Sequence, residues 1–391
     1  MFNFATWFTG LVIMYPVLNS YASPIAQVTL SEFLMFICWG LFVVAHPKKI
    51  RVEWCLVPFC IYLFAYIIVP FTGAIFSSYS ISDWVGTAAR LLFLYVSVSV
   101  LGKNLFNLEK GIKFIRWVAI VLAVYACIQM LMAKFGIFLS TSLPLPVMID
   151  DDIDTIIANR SLIEGYAFRA SSLFREPAHL STYLTAALGV EMFANANKCR
   201  YGWALLFSLV TVLTLSSTGI LVTGFIWVLY LFRLRKVSIQ QFSAGAIIGS
   251  LIFLGVSVVG YCLGVWQYFL NRTFHGSLAG IAHSTRFNDI EAMFLSSHSV
   301  LGVLFGQGLS QVDSYLPGFA RAYLYLGIIG IVFIAFFLVQ LYRQGNYLQR
   351  NLLLIFVVLN MGTEIMLGAF AVLFLCFIIA GHITQDEKKL C

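Results

Sequence analysis

Long apolar runs follow one another along almost the whole chain, and the connections between them carry lysine and arginine in an alternating pattern. A helix needs about 20 apolar residues to cross a bilayer core. The runs that qualify, or nearly so, are 4–21, 25–45, 54–76, 84–101, 114–135, 177–195, 202–216, 217–233, 242–263, 318–341, 351–364 and 366–382. One set of connections holds Lys48, Lys49 and Arg51, then Lys103, Lys110, Lys113 and Arg116. The same set continues with Lys198 and Arg200, then Arg233, Arg235 and Lys236, then Arg343 and Arg350, and ends with Lys388 and Lys389. All of these share one face if both termini are cytoplasmic, as the positive-inside rule demands. Residues 202–233 and 351–382 each read as a hairpin of two short helices. A single kinked span at just one of these places would invert the topology beyond it.

Composition agrees with lipid as the solvent. Charged residues make up 10% of the chain and hydrophobic residues 61%, whereas a soluble domain carries about 25% charged residues. Alternating ten-residue β segments are absent, which argues against an outer-membrane barrel. Backbone amides in lipid must then be satisfied within helices. The expected fold is all-α: a polytopic transmembrane helical bundle of about 12 spans, a single domain over 1–391, with two large periplasmic loops. The first run lacks a basic leader, so it reads as a retained span. The eight cysteines are scattered and none lies in the outer loops, so no disulfide framework is expected there.

The outer loops, about 136–176 and 264–317, differ in kind from the inner connections. Their basic residues are Arg160, Arg169, Arg175, Arg272 and Arg286, with Arg321 opening the following span, and neither loop contains lysine. Guanidinium is a planar fork that grips phosphate or carboxylate through paired hydrogen bonds, whereas ammonium is a hydrated point charge. Outward arginines therefore point to an anionic ligand at the membrane–water boundary. The competing reading pairs each with a local acid, such as Asp289, Glu291, Asp313 or the run Asp150, Asp151, Asp152 and Asp154.

The richest segment is Arg169-Ala-Ser-Ser-Leu-Phe-Arg-Glu-Pro-Ala-His179. Pro177 suits the first turn of a helix, where its missing N–H costs nothing. Glu176 then stands at the helix mouth beside Arg175, with His179 in the first turn. Acid, imidazole and guanidinium meet there, although a helix cap with a local salt bridge would use the same residues. The second loop holds Arg272, His275, His283, Arg286, Asp289 and Glu291, then an apolar stretch from Ile290 to Phe305 that fits an interfacial helix, then a Gly306-Gln-Gly308 turn. Its histidines lack metal-ligand spacing, and neither a metal nor a cofactor is expected. Arg90 lies within a span, where charge is expensive and usually functional, and should face the bundle interior. Glu32 and Glu191 are also within spans, Glu191 near enough to the inner end to snorkel.

On these residues the chain resembles the bacterial O-antigen polymerase family, Wzy, within the wider group of polymerases and ligases acting on lipid-linked sugars. The resemblance rests on Arg169, Phe174, Glu176-Pro177 and His179, on Leu215-Ser-Ser-Thr-Gly219, on Arg286 with Gly306 and Gly308, and on Gly327-Ile-Ile-Gly330. It implies polymerisation of undecaprenyl-pyrophosphate-linked oligosaccharides at the periplasmic face of the bacterial inner membrane. The lipid pyrophosphate would be the leaving group, and a chain-length regulator protein a partner; no nucleic-acid partner is expected. In that reading Glu176 or His179 is the base, and Arg169, Arg175 and Arg286 stabilise the leaving group. Arg90, Arg272 and Arg321 are further pyrophosphate-binding candidates. The related ligases carry a histidine shortly before the Gly-Ile-Ile-Gly-like segment, and the stretch Asp313–Arg321 has none, which favours polymerase over ligase. A lipid-linked sugar transporter is the rival of a different class. Its expected signatures are internal repeats and broken or charged helices near mid-depth.

Overall fold

A computed structural model describes residues 3–45, 50–68, 81–133, 135–148, 169–194, 200–234, 300–306 and 316–380. The described residues are helical, and extended pairing among them is limited to the bridges Tyr21–Val147 and Ala22–Thr29. The expected span 242–263, residues 149–168 of the first long loop, most of the second, and Arg160, Arg272, Arg286 and Gly308 lie outside the described residues. Among the described residues, Val85–Leu105, Leu108–Ala133 and Gly318–Gln344 are long and apolar enough to cross a membrane, and seven shorter apolar helices accompany them. On the second of these helices Trp117, Val121, Val124, Ile128 and Leu131 form an exposed stripe. On the third, Ile328, Val332, Phe336 and Val339 do the same. Contiguous exposed apolar faces of this size are penalised by water, and lipid carries no such penalty. The chain is a membrane protein built of helices.

The chain divides into two compact units. The first comprises residues 1–16, 31–114 and 285–391. Its main helices are α1 (Phe4–Leu18), α2 (Leu30–Ala45), α3 (Val57–Ile68) and α4 (Ile81–Ser97). Further along come α9 (Val300–Phe305), α10 (Gly318–Gln344), α11 (Tyr347–Asn360) and α12 (Ala369–Ile379). A π-helical turn, Val98–Gly102, extends α4, and Gly102 lies so close to Cys376 and Ile379 of α12 that a Cβ would come within 3.1 Å of each. The second unit comprises residues 17–30 and 115–284. It holds most of α5 (Leu108–Ala133), with α6 (Pro177–Phe193), α7 (Tyr201–Leu213) and α8 (Ser217–Leu234). Every residue of α6 from Leu180 to Phe193 is buried, so α6 is the centre of this unit, with α7 and α8 packed on it.

Both doubtful segments are antiparallel hairpins. The Tyr201 and Tyr230 hydroxyls lie 2.9 Å apart and the Trp227 indole N–H donates to Ser208 Oγ at 3.0 Å, which pairs the start of α7 with the end of α8. In the other, Gln349 donates to the Ala380 carbonyl and Phe356 packs on Phe374 with ring centres 5.5 Å apart. A capping box opens α11: Asn346 Oδ1 accepts from the Gln349 amide at 3.0 Å, and Gln349 Oε1 accepts from the Asn346 amide at 2.8 Å.

α10 is broken at Gly327, whose φ of 66° and ψ of −172° belong to a region open essentially to glycine alone. The break brings Gly327 against the end of α9. A Cβ at Gly327 would lie 2.2 Å from the Leu304 carbonyl oxygen, and one at Gly306, itself at φ 84°, 2.3 Å from that of Tyr325. A break inside a span frees carbonyls that lipid cannot satisfy. Here the hydroxyls of Tyr62 and Tyr66, both on α3, donate to the carbonyls of Leu326 and Tyr325.

Candidate functional site

In the second unit, the segment from Arg169 to His179 is anchored at one end and open at the other. Thr214 ends α7 and Leu215 follows in the left-handed region at φ 53°, a place where helices usually put glycine. The carbonyls left without helical partners there are taken by Arg169. Its Nε–H donates to the Thr214 oxygen at 3.0 Å and its Nη2 to the Leu215 oxygen at 3.5 Å. A cation at this end of a helix also suits the helix dipole. Ser216 then caps α8, its carbonyl accepting from the Ile220 amide at 2.9 Å. Gly219 admits α8 against α6, since a Cβ there would lie 2.6 Å from the Ser181 Cβ. The Leu215–Gly219 motif is thus a tight turn gripped by Arg169.

Three further contacts lock the segment. Ser172 is also left-handed, at φ 53°. Fully buried Gln129 of α5 holds it from both sides, accepting from its amide at 2.8 Å and donating to its carbonyl at 3.2 Å. The same Gln129 side chain donates to the Ser140 carbonyl at 3.0 Å, and the Tyr125 hydroxyl donates there at 2.7 Å, so the stretches 135–148 and 169–176 meet on α5. Phe174 is buried against Tyr183, with ring centres 5.6 Å apart. Ala170, Ser171 and Ser172 are buried as well.

What this anchoring presents is the other end. Glu176 is the N-cap of α6, with extended backbone (φ −128°, ψ 145°) and Pro177 directly after it. Its carbonyl accepts from the His179 and Leu180 amides at 3.1 and 3.3 Å, but its carboxylate makes no capping bond to the first turn. Glu176 and His179 are exposed, and Arg175 is half-buried between them and the packed part of the loop. Capping therefore leaves the carboxylate unused. A rigid loop at a helix mouth, with carboxylate, imidazole and guanidinium within one turn, can bind an anion and move a proton.

The other predicted residues of the site fall in the first unit. Arg321 pairs with Glu364, which lies in the α11–α12 connection, and Arg321 Nε donates to the Tyr325 hydroxyl at 2.5 Å. Arg90 does not face a packed interior as expected. Its side chain is 51% exposed, and its Nε lies 3.7 Å from Oε1 of the more buried Glu32 in the first turn of α2. Glu191 is also different from expectation: it does not snorkel. It is buried and accepts from Arg116 Nε at 2.6 Å, a partner close enough to make burial tolerable.

Sequence reasoning missed Gln129 and Glu364. Gln129 left a signal, an amide deep in an apolar span, where polar groups are costly. Glu364 stood at the edge of an expected span and looked like an ordinary boundary residue. Among the described residues, no three His, Cys, Asp or Glu side chains converge as a metal site would require. No family model, no curated protein and no solved structure matches this chain.

Proposed function

We propose that this chain is a membrane glycosyltransferase that polymerises undecaprenyl-pyrophosphate-linked oligosaccharides at the periplasmic face of the bacterial inner membrane. The observation that carries the reading is the uncapped, exposed Glu176 carboxylate on a rigid loop, with His179 one turn along and Arg175 beside it. In this reaction a sugar hydroxyl attacks the anomeric carbon of the donor, that carbon's bond to the pyrophosphate oxygen breaks, and the lipid pyrophosphate leaves. Glu176 or His179 takes the hydroxyl proton. Arg175 stabilises the charge that develops on the leaving group where water is scarce. Arg169 acts by holding the loop, its contacts with two carbonyls fixing where Glu176 stands. The resemblance to O-antigen polymerases, about 12 spans and cytoplasmic termini belong to the same proposal.

The test is a surface-glycan gel. Deletion of the gene should collapse the ladder to core plus one repeat unit. Glu176→Gln should do nearly the same at normal protein level, a loss on the order of 10²- to 10⁴-fold for a general base. Normal chain length in that variant would sink the role given to Glu176. Loss of all repeat-bearing core, with polymer retained on the carrier lipid, would make the chain a ligase instead.

One observation favours a second reading. The break in α10 lies nine residues from its start, Gly318 to Gly327, which is about 14 Å along a helix and so near mid-depth of a span. Discontinuous helices there are typical of transporters. Proteoliposomes loaded with lipid-linked sugar separate the two: bond formation means enzyme, and movement across the bilayer alone means transporter.

A further inference from the structure

The first unit carries a second charged group on an outer connection. Glu364 sits in the short α11–α12 turn, and everything around it is fastened. The Met366 amide donates to Asn360 Oδ1 at 2.9 Å, the Tyr95 hydroxyl donates to the Met366 carbonyl at 3.1 Å, and the Thr363 hydroxyl donates to the Leu359 carbonyl at 2.8 Å. Thr363, Ile365 and Met366 are buried. Gly318 lets the first turn of α10 press on this connection, since a Cβ there would lie 2.6 Å from Asn360 Oδ1 and 2.7 Å from the Thr363 carbonyl oxygen. From that frame Glu364 and Arg321 emerge as a pair, with side chains still 25% and 24% exposed. The Tyr325 hydroxyl accepts from Arg321 Nε, and the guanidinium carbon lies 5.4 Å from the centre of the Tyr325 ring. Frame and pair together form an immobilised, partly open array of donors and acceptors, the kind of preorganisation that binding sites need.

The charge of this array decides its ligand. A guanidinium answered by a carboxylate has lost the net positive charge that draws pyrophosphate. It keeps fixed donors on the guanidinium and acceptors on the carboxylate, side by side, which matches the adjacent hydroxyls of a sugar. We infer that the Arg321–Glu364 pair, braced by the hydroxyl of buried Tyr325, is a binding site for a neutral, hydroxyl-rich glycan and not for pyrophosphate. This deepens the polymerase reading and rests on it for the identity of the glycan: the pair holds the sugar portion of a repeat unit.

The test is calorimetric titration of the full chain in lipid nanodiscs with two probes. One is the repeat-unit oligosaccharide freed from its lipid pyrophosphate by mild acid, and the other is inorganic pyrophosphate. The wild type should bind the oligosaccharide, and the isosteric Glu364→Gln should weaken this roughly ten- to hundredfold, as expected when a hydrogen bond to a charged group is lost. Exchanging the charges, Arg321→Glu with Glu364→Arg, should restore protein level but not oligosaccharide binding, whereas a merely structural brace would recover both. Tyr325→Phe, which removes the acceptor that fixes Arg321 Nε, should weaken binding severalfold and serves if the charge variants fail to fold. No oligosaccharide binding by the wild type, unchanged binding by Glu364→Gln or Tyr325→Phe, recovery in the exchanged pair, or pyrophosphate bound through Arg321 would each overturn the inference. The glycan gel stays separate: an intact ladder in the deletion strain ends the polymerase reading whatever the titration shows. A collapsed ladder with undiminished binding by Glu364→Gln ends only this inference.

Discussion

Arg169 and Arg321 are both arginines beside a helix end in a membrane protein, and the two are used in opposite ways. Arg169 faces backbone: two carbonyls at the end of α7, beside left-handed Leu215, hold its guanidinium. Arg321 faces a carboxylate and a phenol, in a pair that is still about a quarter exposed. A guanidinium spent on carbonyls supports a loop, whereas one held against a carboxylate at the surface keeps its array available to a ligand. The residue type is the same in both places. Its partner makes the difference.

That contrast can be broken or sharpened by substitution. The largest effect should come from the frame near Arg321. Gly327→Val places a branched side chain at φ 66° and 2.2 Å from a carbonyl oxygen, so little folded protein should be recovered from membranes, as judged by detergent extraction and gel filtration. A monodisperse variant at wild-type yield would mean the break in α10 is not needed. Next, Arg169→Ala should leave the carbonyls of buried Thr214 and Leu215 without their partner, at a cost of about 1–3 kcal/mol for each buried group unsatisfied. This should lower the temperature of aggregation in detergent. Arg321→Ala should lower that temperature less and abolish oligosaccharide binding; equal thermal losses would erase the distinction between the two arginines.

Gln129→Leu should come close behind, because exposed Ser140 keeps the Tyr125 hydroxyl while the amide and carbonyl of buried Ser172 lose their partner. The expected signs are a lower aggregation temperature and faster proteolysis between 169 and 176, and protection equal to wild type would show that the loop is held by Phe174 and Arg169 alone. Arg90→Gln should have the smallest effect on thermal stability, since the Arg90 side chain is 51% exposed at 3.7 Å from Glu32 and loosely held, exposed ion pairs contribute little. A large fall in aggregation temperature there would show that Arg90 is far more embedded than its exposure implies.

Much of the frame was legible beforehand. The helices of the described residues fall within or against eleven of the expected apolar runs, and Pro177 marked the start of α6 as expected. The two hairpins were also legible, at Ser216-Ser217 and in the turn that contains Glu364. The placement of Arg175, Glu176 and His179 at the mouth of α6 was legible for the same reason, since Pro177 marks that helix start within a few residues. The partners of the charges were not legible. Arg116 and Glu191 are 75 positions apart, and Arg321 reaches Glu364 across an entire helix. Gly306 and Gly327 each looked like an isolated turn or packing glycine, and only their mutual approach explains both.

The amino-acid sequence by itself determined that the chain is helical and apolar, where along it most of its helices lie, and which connections carry lysine. Those properties follow from hydropathy, proline, glycine and charge within a window of about 20 residues. Tertiary structure alone decided which arginine braces a turn and which stands at the surface with an acid, that Gln129 fastens the loop, and that α10 breaks against α9. Each of these depends on which distant groups come within hydrogen-bonding distance, and no local window contains that information.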